Sequence, residues 1–292
     1  AQASRSQATS GSDGWLPAEL KYLPRQAWEE RSRVLQSYAR AGKYPDAYYH
    51  VNAPSIPKKA NETAPLKQRI LAVFSAVYRV EAGAWAKIIM PWFLPRLHPK
   101  IYGGIPRCDS SDATWEAQAD IEEALLAGEP ITLGSLDYHK YYDSFDYDWV
   151  KGFLIFLGFP KAHVELHHNL YTNLRKTLKI GGALGQHTHS YNGLGQGDVA
   201  STFPVLAHTS GQFYMLAYKL PSLRMGAIID DRNVRGSFND VIEACRLATP
   251  YDHMSGHSTQ HEKTVIITTD EDDQRRLEDV RIDGFKPTHA TQ

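Results

Sequence analysis

The alternation of short β-prone runs with segments of helical periodicity predicts a sheet with helices packed on it, of α+β class, with α/β the alternative. Gly, Pro, Asn and Asp clusters punctuate the two kinds of segment, and the 292 residues are enough for a substantial core. Residues 1–13 are mostly Ser, Gln, Ala and Gly and read as a disordered tail. Residues 17–36 carry Leu20, Leu23, Trp28 and Leu35 among charged side chains, which predicts one or two amphipathic helices. A short extended piece follows at 51–59, and the mostly apolar stretch 66–97 reads as a strand and then a long buried helix ending near Pro95. Residues 112–127 repeat Trp115, Ala119, Ile121 and Leu125 at helical spacing and stop at Gly128. The run 131–137 is a strand, followed by helices at 149–157 and 162–174 and a hairpin at 176–184. A glycine-rich loop at 192–197 opens a helix to Tyr218, residues 223–235 read as two strands around Asp230 and Asp231, 238–247 as a helix, and 263–269 as a strand.

With 42% hydrophobic and 22% charged residues the composition is that of a globular protein, and no apolar run approaches the roughly 20 residues that span a bilayer. Two cysteines, Cys108 and Cys245, exclude a disulfide framework and point to a reducing, intracellular setting. A start at Ala1 rather than Met, and an end soon after a strand-like segment, lead us to expect a fragment. The formal net charge of −1 hides an asymmetry: residues 1–110 hold 16 Lys or Arg against 8 Asp or Glu, and residues 111–292 hold 16 against 25. Such a split indicates a polyanion-gripping half beside a cation-binding half, unless it is a chance excess on solvated faces.

The candidate chemistry lies in Asp137, at a strand end, and in the Asp230-Asp231 pair after Ala227, Ile228 and Ile229. Like charges about 4 Å apart repel by about 4 kcal/mol at an effective dielectric near 20, so a cation is expected there. Two divalent ions about 3.5 to 4 Å apart, held by aspartates of different strands, are the usual arrangement for in-line nucleotidyl transfer, and hard oxygen ligands favour Mg²⁺. The alternative is an Asp-Asp turn on a solvated hairpin. His253, His257 and His261 recur every four residues beside Cys245, but Ser255, Gly256 and Ser258 oppose a helix that would align them. A zinc site is therefore not expected, and these histidines read as residents of a polar loop.

The order of a strand-end Asp, a Gly-Leu-Gly-Gln-Gly loop, an Asp-Asp hairpin and a Lys-Thr pair resembles the palm of a reverse transcriptase. Asp137, Lys140, Tyr142 and Asp143 resemble the first palm motif, Asn-Gly-Leu-Gly-Gln-Gly-Asp at 192–198 the second, Asp230 and Asp231 the third, and His261, Glu262, Lys263 and Thr264 the fourth. Upstream, Lys58 and the run Lys67, Gln68, Arg69, Ile70 are similar to fingers segments that touch the incoming triphosphate. The resemblance covers roughly residues 13–270 and is nearest to non-LTR retrotransposon and related mobile-element enzymes. Ile228 stands where that family prefers an aromatic residue, and Gly195 where Pro is usual.

The resemblance implies a right-hand polymerase fold: fingers over 14–130, a palm with an antiparallel sheet and packed helices over 131–270, and in 271–292 the palm's end or the start of a truncated thumb, with a strand around 280–285. It implies RNA-templated DNA synthesis from deoxynucleoside triphosphates onto a DNA primer, in a nuclear setting and without a membrane. Two Mg²⁺ ions, or Mn²⁺, would be held by Asp137, Asp230, Asp231 and the carbonyl of Tyr138. Lys263 would protonate the leaving pyrophosphate, while Lys58, Lys67 and Arg69 would neutralise the triphosphate. Gln196 and Gly197 would admit the templating pair, and Tyr142 would exclude a ribose 2′-hydroxyl. The main alternative is a catalytically decayed nucleic-acid-binding module of the same fold, suggested by Ile228, Gly195 and the missing thumb. An RNA-templated RNA polymerase is a weaker fit, because the Gly-Leu-Gly-Gln-Gly loop departs from that group's second motif.

Overall fold

The computed structural model describes residues 9–59, 62, 64, 68–180 and 183–289. In chain order the elements are α1 (Arg25–Ala41), β1 (His50–Pro57), β2 (Gln68–Ile70), α2 (Ala76–Phe93), α3 (Ser110–Ala127), β3 (Thr132–Leu136), α4 (Tyr141–Ser144), α5 (Tyr147–Phe156), α6 (Lys161–Thr172), β4 (Arg175–Ile180), β5 (Ala183–His189), α7 (Thr202–Lys219), β6 (Arg224–Ile228), β7 (Asp231–Gly236), α8 (Phe238–Met254), β8 (Val265–Thr268), α9 (Glu271–Leu277) and β9 (Thr288–His289). The fold is mixed α+β. Among the described residues no helix is long and apolar enough to cross a membrane. The chain divides into two compact units, Ala1–Pro91 with Phe145–Thr202, and Trp92–Ser144 with Phe203–Gln292.

The first unit holds a four-stranded sheet in the order β2-β1-β4-β5, in which β1 and β4 run parallel and the other pairs antiparallel. Its edge strand β5 is exposed at every residue. Ser12 and Asp13, which the sequence places in a polar tail, are tied down here. Ser12 Oγ donates to the His50 carbonyl at 2.7 Å, and Asp13 Oδ2 accepts from the N–H groups of Ala76 and Val77 at 2.8 and 3.3 Å. Asp13 thus satisfies donors that the first turn of α2 would otherwise leave orphaned.

The second unit holds a five-stranded sheet in the order β6-β7-β3-β8-β9, antiparallel except for the parallel β8–β9 pair. Strand β3 lies at its centre, and Thr132, Gly134 and Leu136 are buried on alternate positions, as expected for a half-buried strand. Helix α8 sits so close to this face that a Cβ on Gly134 would lie 3.1 Å from Val241 Cγ1. The helix runs past the predicted end at 247, through Pro250, because Asp252 in its last turn is anchored in a buried network. Helix α9 was not anticipated, although Asp270 Oδ1 caps the Asp273 N–H at 2.8 Å and acidic residues fill its first turn. The strand expected around 280–285 is instead a tight turn. Ile282 and Phe285 exchange backbone hydrogen bonds at 2.9 and 3.0 Å around Asp283 and Gly284, both at positive φ (51° and 78°), the chemistry of an Asp-Gly hairpin turn.

Candidate functional site

Strand β3 ends at Asp137, and the β6–β7 hairpin turns through Ile229 and Asp230. In the β3–β7 register Leu136 pairs with Arg232. Continuing that register by one residue sets Asp137 beside Asp231, and directly opposed like charges destabilise a sheet unless a cation intervenes. The electrostatics agree: partial burial, then Asp230, then Asp137 hold the Asp231 carboxyl above its ordinary value, with Lys263 opposing them. Lys263 Nζ lies 3.0 Å from Asp137 Oδ2, while Oδ1 accepts the Tyr138 N–H at 2.8 Å.

Tyr138 bridges to Thr259 with its own backbone groups turned away. The bonds across that bridge run from the His139 N–H to the Ser258 carbonyl at 3.0 Å and from the Gln260 N–H to the Asp137 carbonyl at 2.8 Å. The Tyr138 carbonyl therefore faces the β7 side, where Asp230 and Asp231 lie. Tyr142 is half-buried in the short helix α4; burial, Asp230 and Tyr141 push its phenol up to about 12, so it is a neutral ring beside the carboxylates.

The turn that presents Asp230 is held from two sides. Ile229 sits at φ 61°, a left-handed conformation that is a genuine outlier for a β-branched residue and costs about 1 to 3 kcal/mol. Thr209 Oγ1 donates to its carbonyl at 3.3 Å. On the other side the Tyr102 N–H donates to the Ala227 carbonyl at 2.9 Å, and the Ala227 N–H donates to the Lys100 carbonyl at 3.0 Å. Gly103 approaches so closely that a Cβ there would lie 2.5 Å from the Ile229 nitrogen.

Three carboxylates and one outward-facing carbonyl form a hard-oxygen donor set, with the Lys263 ammonium against Asp137; the repulsion among the carboxylates calls for a cation, and in that respect the residues fit divalent ions. They are not drawn into a closed cage: among the described residues no group of three or more His, Cys, Asp or Glu is arranged to hold a metal.

Behind the carboxylates lies a network the sequence did not reveal. Arg232, 1% exposed, donates through Nη1 to Tyr138 Oη at 3.0 Å, Gln212 Oε1 at 2.8 Å and Asp252 Oδ1 at 3.2 Å, and through Nη2 to Tyr141 Oη at 2.7 Å and His208 Nδ1 at 2.9 Å. Ser255 Oγ lies 2.8 Å from both His208 Nε2 and His257 Nδ1, and His257 Nε2 donates to the Tyr141 carbonyl at 3.0 Å. His257 is thus a buried structural residue and no member of a polar loop; burial and the Arg232 charge hold it neutral, down to about 3. The one local signal was an arginine at an inward-facing strand position.

The remaining predicted residues belong to the other unit. Lys58 follows β1 and Arg69 lies in β2, paired with Ile56; both are exposed and without an ion-pair partner among the described residues. Lys67 lies outside the described residues. The Gln196 carbonyl accepts the Ala72 N–H at 2.8 Å, and Gly197 sits at φ +108° with Ala72 O 3.2 Å from where a Cβ would be. The loop is anchored by buried Asp198, whose Oδ2 accepts the hydroxyls of Tyr78 and Tyr171 at 3.0 and 2.5 Å. Gly195 has a local cause: a Cβ would meet the Phe74 ring at 2.8 Å.

No family model matches the sequence, and no curated protein matches it. Solved structures match by fold. The chain aligns with an apo telomerase from Candida tropicalis truncated at the C-terminal domain, with a TM-score of 0.58 and 11% identity over 76% of this chain and 51% of that one. It aligns with apo telomerase from Candida tropicalis at TM-score 0.56 and 12% identity, covering 85% and 50%, and with Candida albicans telomerase in complex with the TWJ fragment of telomeric RNA at 0.52 and 12%, covering 84% and 48%. The chain therefore spans about half the length of the telomerases it matches. The likeness shows the fold: mostly antiparallel sheets with packed helices, resembling that of telomerase.

Proposed function

We propose that the protein is an RNA-directed DNA polymerase domain that joins a primer 3′-hydroxyl to the α-phosphate of a deoxynucleoside triphosphate on an RNA template. The observation that carries this reading is the juxtaposition of Asp137, Asp230 and Asp231 at one end of the five-stranded sheet, with Lys263 against them. The fold shared with telomerases and the order of the sequence motifs support it; kinship with non-LTR retrotransposon enzymes rests on the motifs alone. Two Mg²⁺ ions, when bound, would supply charge neutralisation at the attacking and leaving oxygens. Asp137, Asp230, Asp231 and the Tyr138 carbonyl would hold them. Lys263 would leave Asp137 and give its proton to the departing pyrophosphate. The neutral ring of Tyr142 would pack against the sugar and leave no room for a 2′-hydroxyl. Lys58, Lys67 and Arg69 would neutralise the triphosphate, and Gln196 and Gly197 would admit the templating base pair.

A second reading, a catalytically silent nucleic-acid-binding module, is favoured by the lack of a closed metal cage among the described residues and by Ile228 before the Asp pair. Primer extension on a homopolymeric RNA template with Mg²⁺ or Mn²⁺ separates the two. The polymerase extends the primer, and Asp230→Asn abolishes extension while retaining template binding. A wild-type chain that binds the template and extends nothing with either metal would make the silent module the correct reading.

A further inference from the structure

We infer that Arg232 is a positioning residue for the carboxylate site, locking together from beneath the three segments that carry Asp137, Asp231 and Tyr142; the inference rests on the polymerase reading above. Side chains alternate across a strand, so Arg232, next to Asp231, points to the opposite face of the sheet. There its guanidinium grips the hydroxyl of Tyr138, one residue after Asp137, and that of Tyr141, one residue before Tyr142, at 3.0 and 2.7 Å. It also lies over both rings, with Cζ 4.6 and 5.3 Å from their centroids. The planar fork has fixed directions, so the two tyrosines and β7 cannot shift independently without losing a hydrogen bond. Helices α7 and α8 complete the socket: Gln212 Nε2 and Tyr138 Oη both donate to Asp252 Oδ2, at 2.9 and 3.0 Å.

Stability alone does not explain this arrangement. A buried Arg–Asp pair is often no better than apolar residues of similar volume, and Arg232 Nε is buried with no hydrogen-bond acceptor among the described residues. What a rigid fork supplies that apolar packing does not is a fixed spacing between the segments it touches. Three of the segments it joins, β7, the end of β3 and α4, carry residues of the proposed site, and α7 and α8 hold the fork in place.

The test compares the wild-type chain with Arg232→Met/Asp252→Leu, which removes both buried charges together, and with Tyr138→Phe, which removes one hydroxyl. Three quantities are measured: Mn²⁺ affinity by titration calorimetry without nucleotide, the thermal unfolding transition, and kcat and KM for deoxynucleotide. The double variant should keep a cooperative unfolding transition and a near wild-type KM while binding Mn²⁺ about tenfold more weakly, the lower end of the 10- to 100-fold loss seen when support for metal ligands is removed. Its kcat should fall about a hundredfold, as for an active-site group misplaced by about 1 Å. Tyr138→Phe should show the same pattern, smaller. Wild-type Mn²⁺ affinity in the double variant, or no saturable Mn²⁺ binding by the wild type, overturns the inference. So does loss of cooperative unfolding in both variants, which would make the network a folding element only. Failure of the polymerase reading looks different: the wild type extends no primer while the Mn²⁺ difference between it and the variants persists.

Discussion

His208 and Asp252 are buried and both hydrogen-bonded to buried Arg232, whereas His163 and His167, in the other unit, leave three buried ring nitrogens without a partner among the described residues. Both groups pack against helices, so burial itself is not the difference. In the first, the hydrogen-bonded polar atoms dictate where their neighbours sit, and the atoms so placed lie directly beneath Asp137 and Asp231. In the second, the imidazoles act as flat aromatic plates: His163 stacks on Trp85 with centroids 3.8 Å apart and planes 6° apart, and His167 packs edge-on to Tyr44 and Tyr78. A connected polar network specifies position, while unpartnered rings fill volume and depend on remaining uncharged.

Three experiments put this contrast at risk. The largest effect is expected from Arg232→Ala, which strands Asp252 in the core without its counter-charge and should destabilise the fold by about 3 to 5 kcal/mol in denaturant unfolding. A loss below about 1 kcal/mol would mean that Asp252 has simply become protonated and that the network is less tightly coupled than its geometry indicates.

Acid comes next. Burial holds His163 and His167 at about 2 and about 4, below the ordinary 6.5, so the unfolded chain binds more protons. Their contribution is complete above pH 6.5 and is lost as pH falls, at up to about 1.4 kcal/mol per pH unit for each ring. His163→Phe keeps the stack on Trp85 and removes one titrating ring. Denaturation midpoints measured from pH 6.5 down to 4 should therefore fall less steeply than in the wild type, and an identical slope would place the acid sensitivity in His208 and His257 instead.

The smallest effect is expected at the strained turn. Asn tolerates the left-handed conformation that Ile229 is forced into, so Ile229→Asn should gain about 0.5 to 1 kcal/mol of stability while lowering primer extension, because the turn presenting Asp230 becomes softer. A gain in both would show that the strain serves no purpose in the proposed reaction.

Much of the architecture was legible in the sequence because it is written locally. The periodicity of α3 and its Gly128 stop, the alternation in β3 and the strand pair around Asp230 follow from spacing of three to four or of two residues. What escaped is tertiary. The partners of Arg232 lie 20 to 94 residues away in sequence, so no local pattern announces them. The helix read over 238–247 runs on to Met254, because the anchoring of Asp252 in its last turn is not visible locally. The turn at Asp283-Gly284 and the cap at Asp270 did carry local signals, but the expectation of the palm's end or a truncated thumb there obscured them.

Gly103 has no functional group, yet the space it leaves empty is filled by the backbone of the turn that carries the paired aspartates. Any larger residue there would have to move Ile229, and Asp230 with it. In a survey of tolerated substitutions, position 103 should therefore be as intolerant as the acidic positions themselves, and a reader ranking residues by chemistry would overlook it. Drift at a glycine could retire the site while every proposed ligand stays in place.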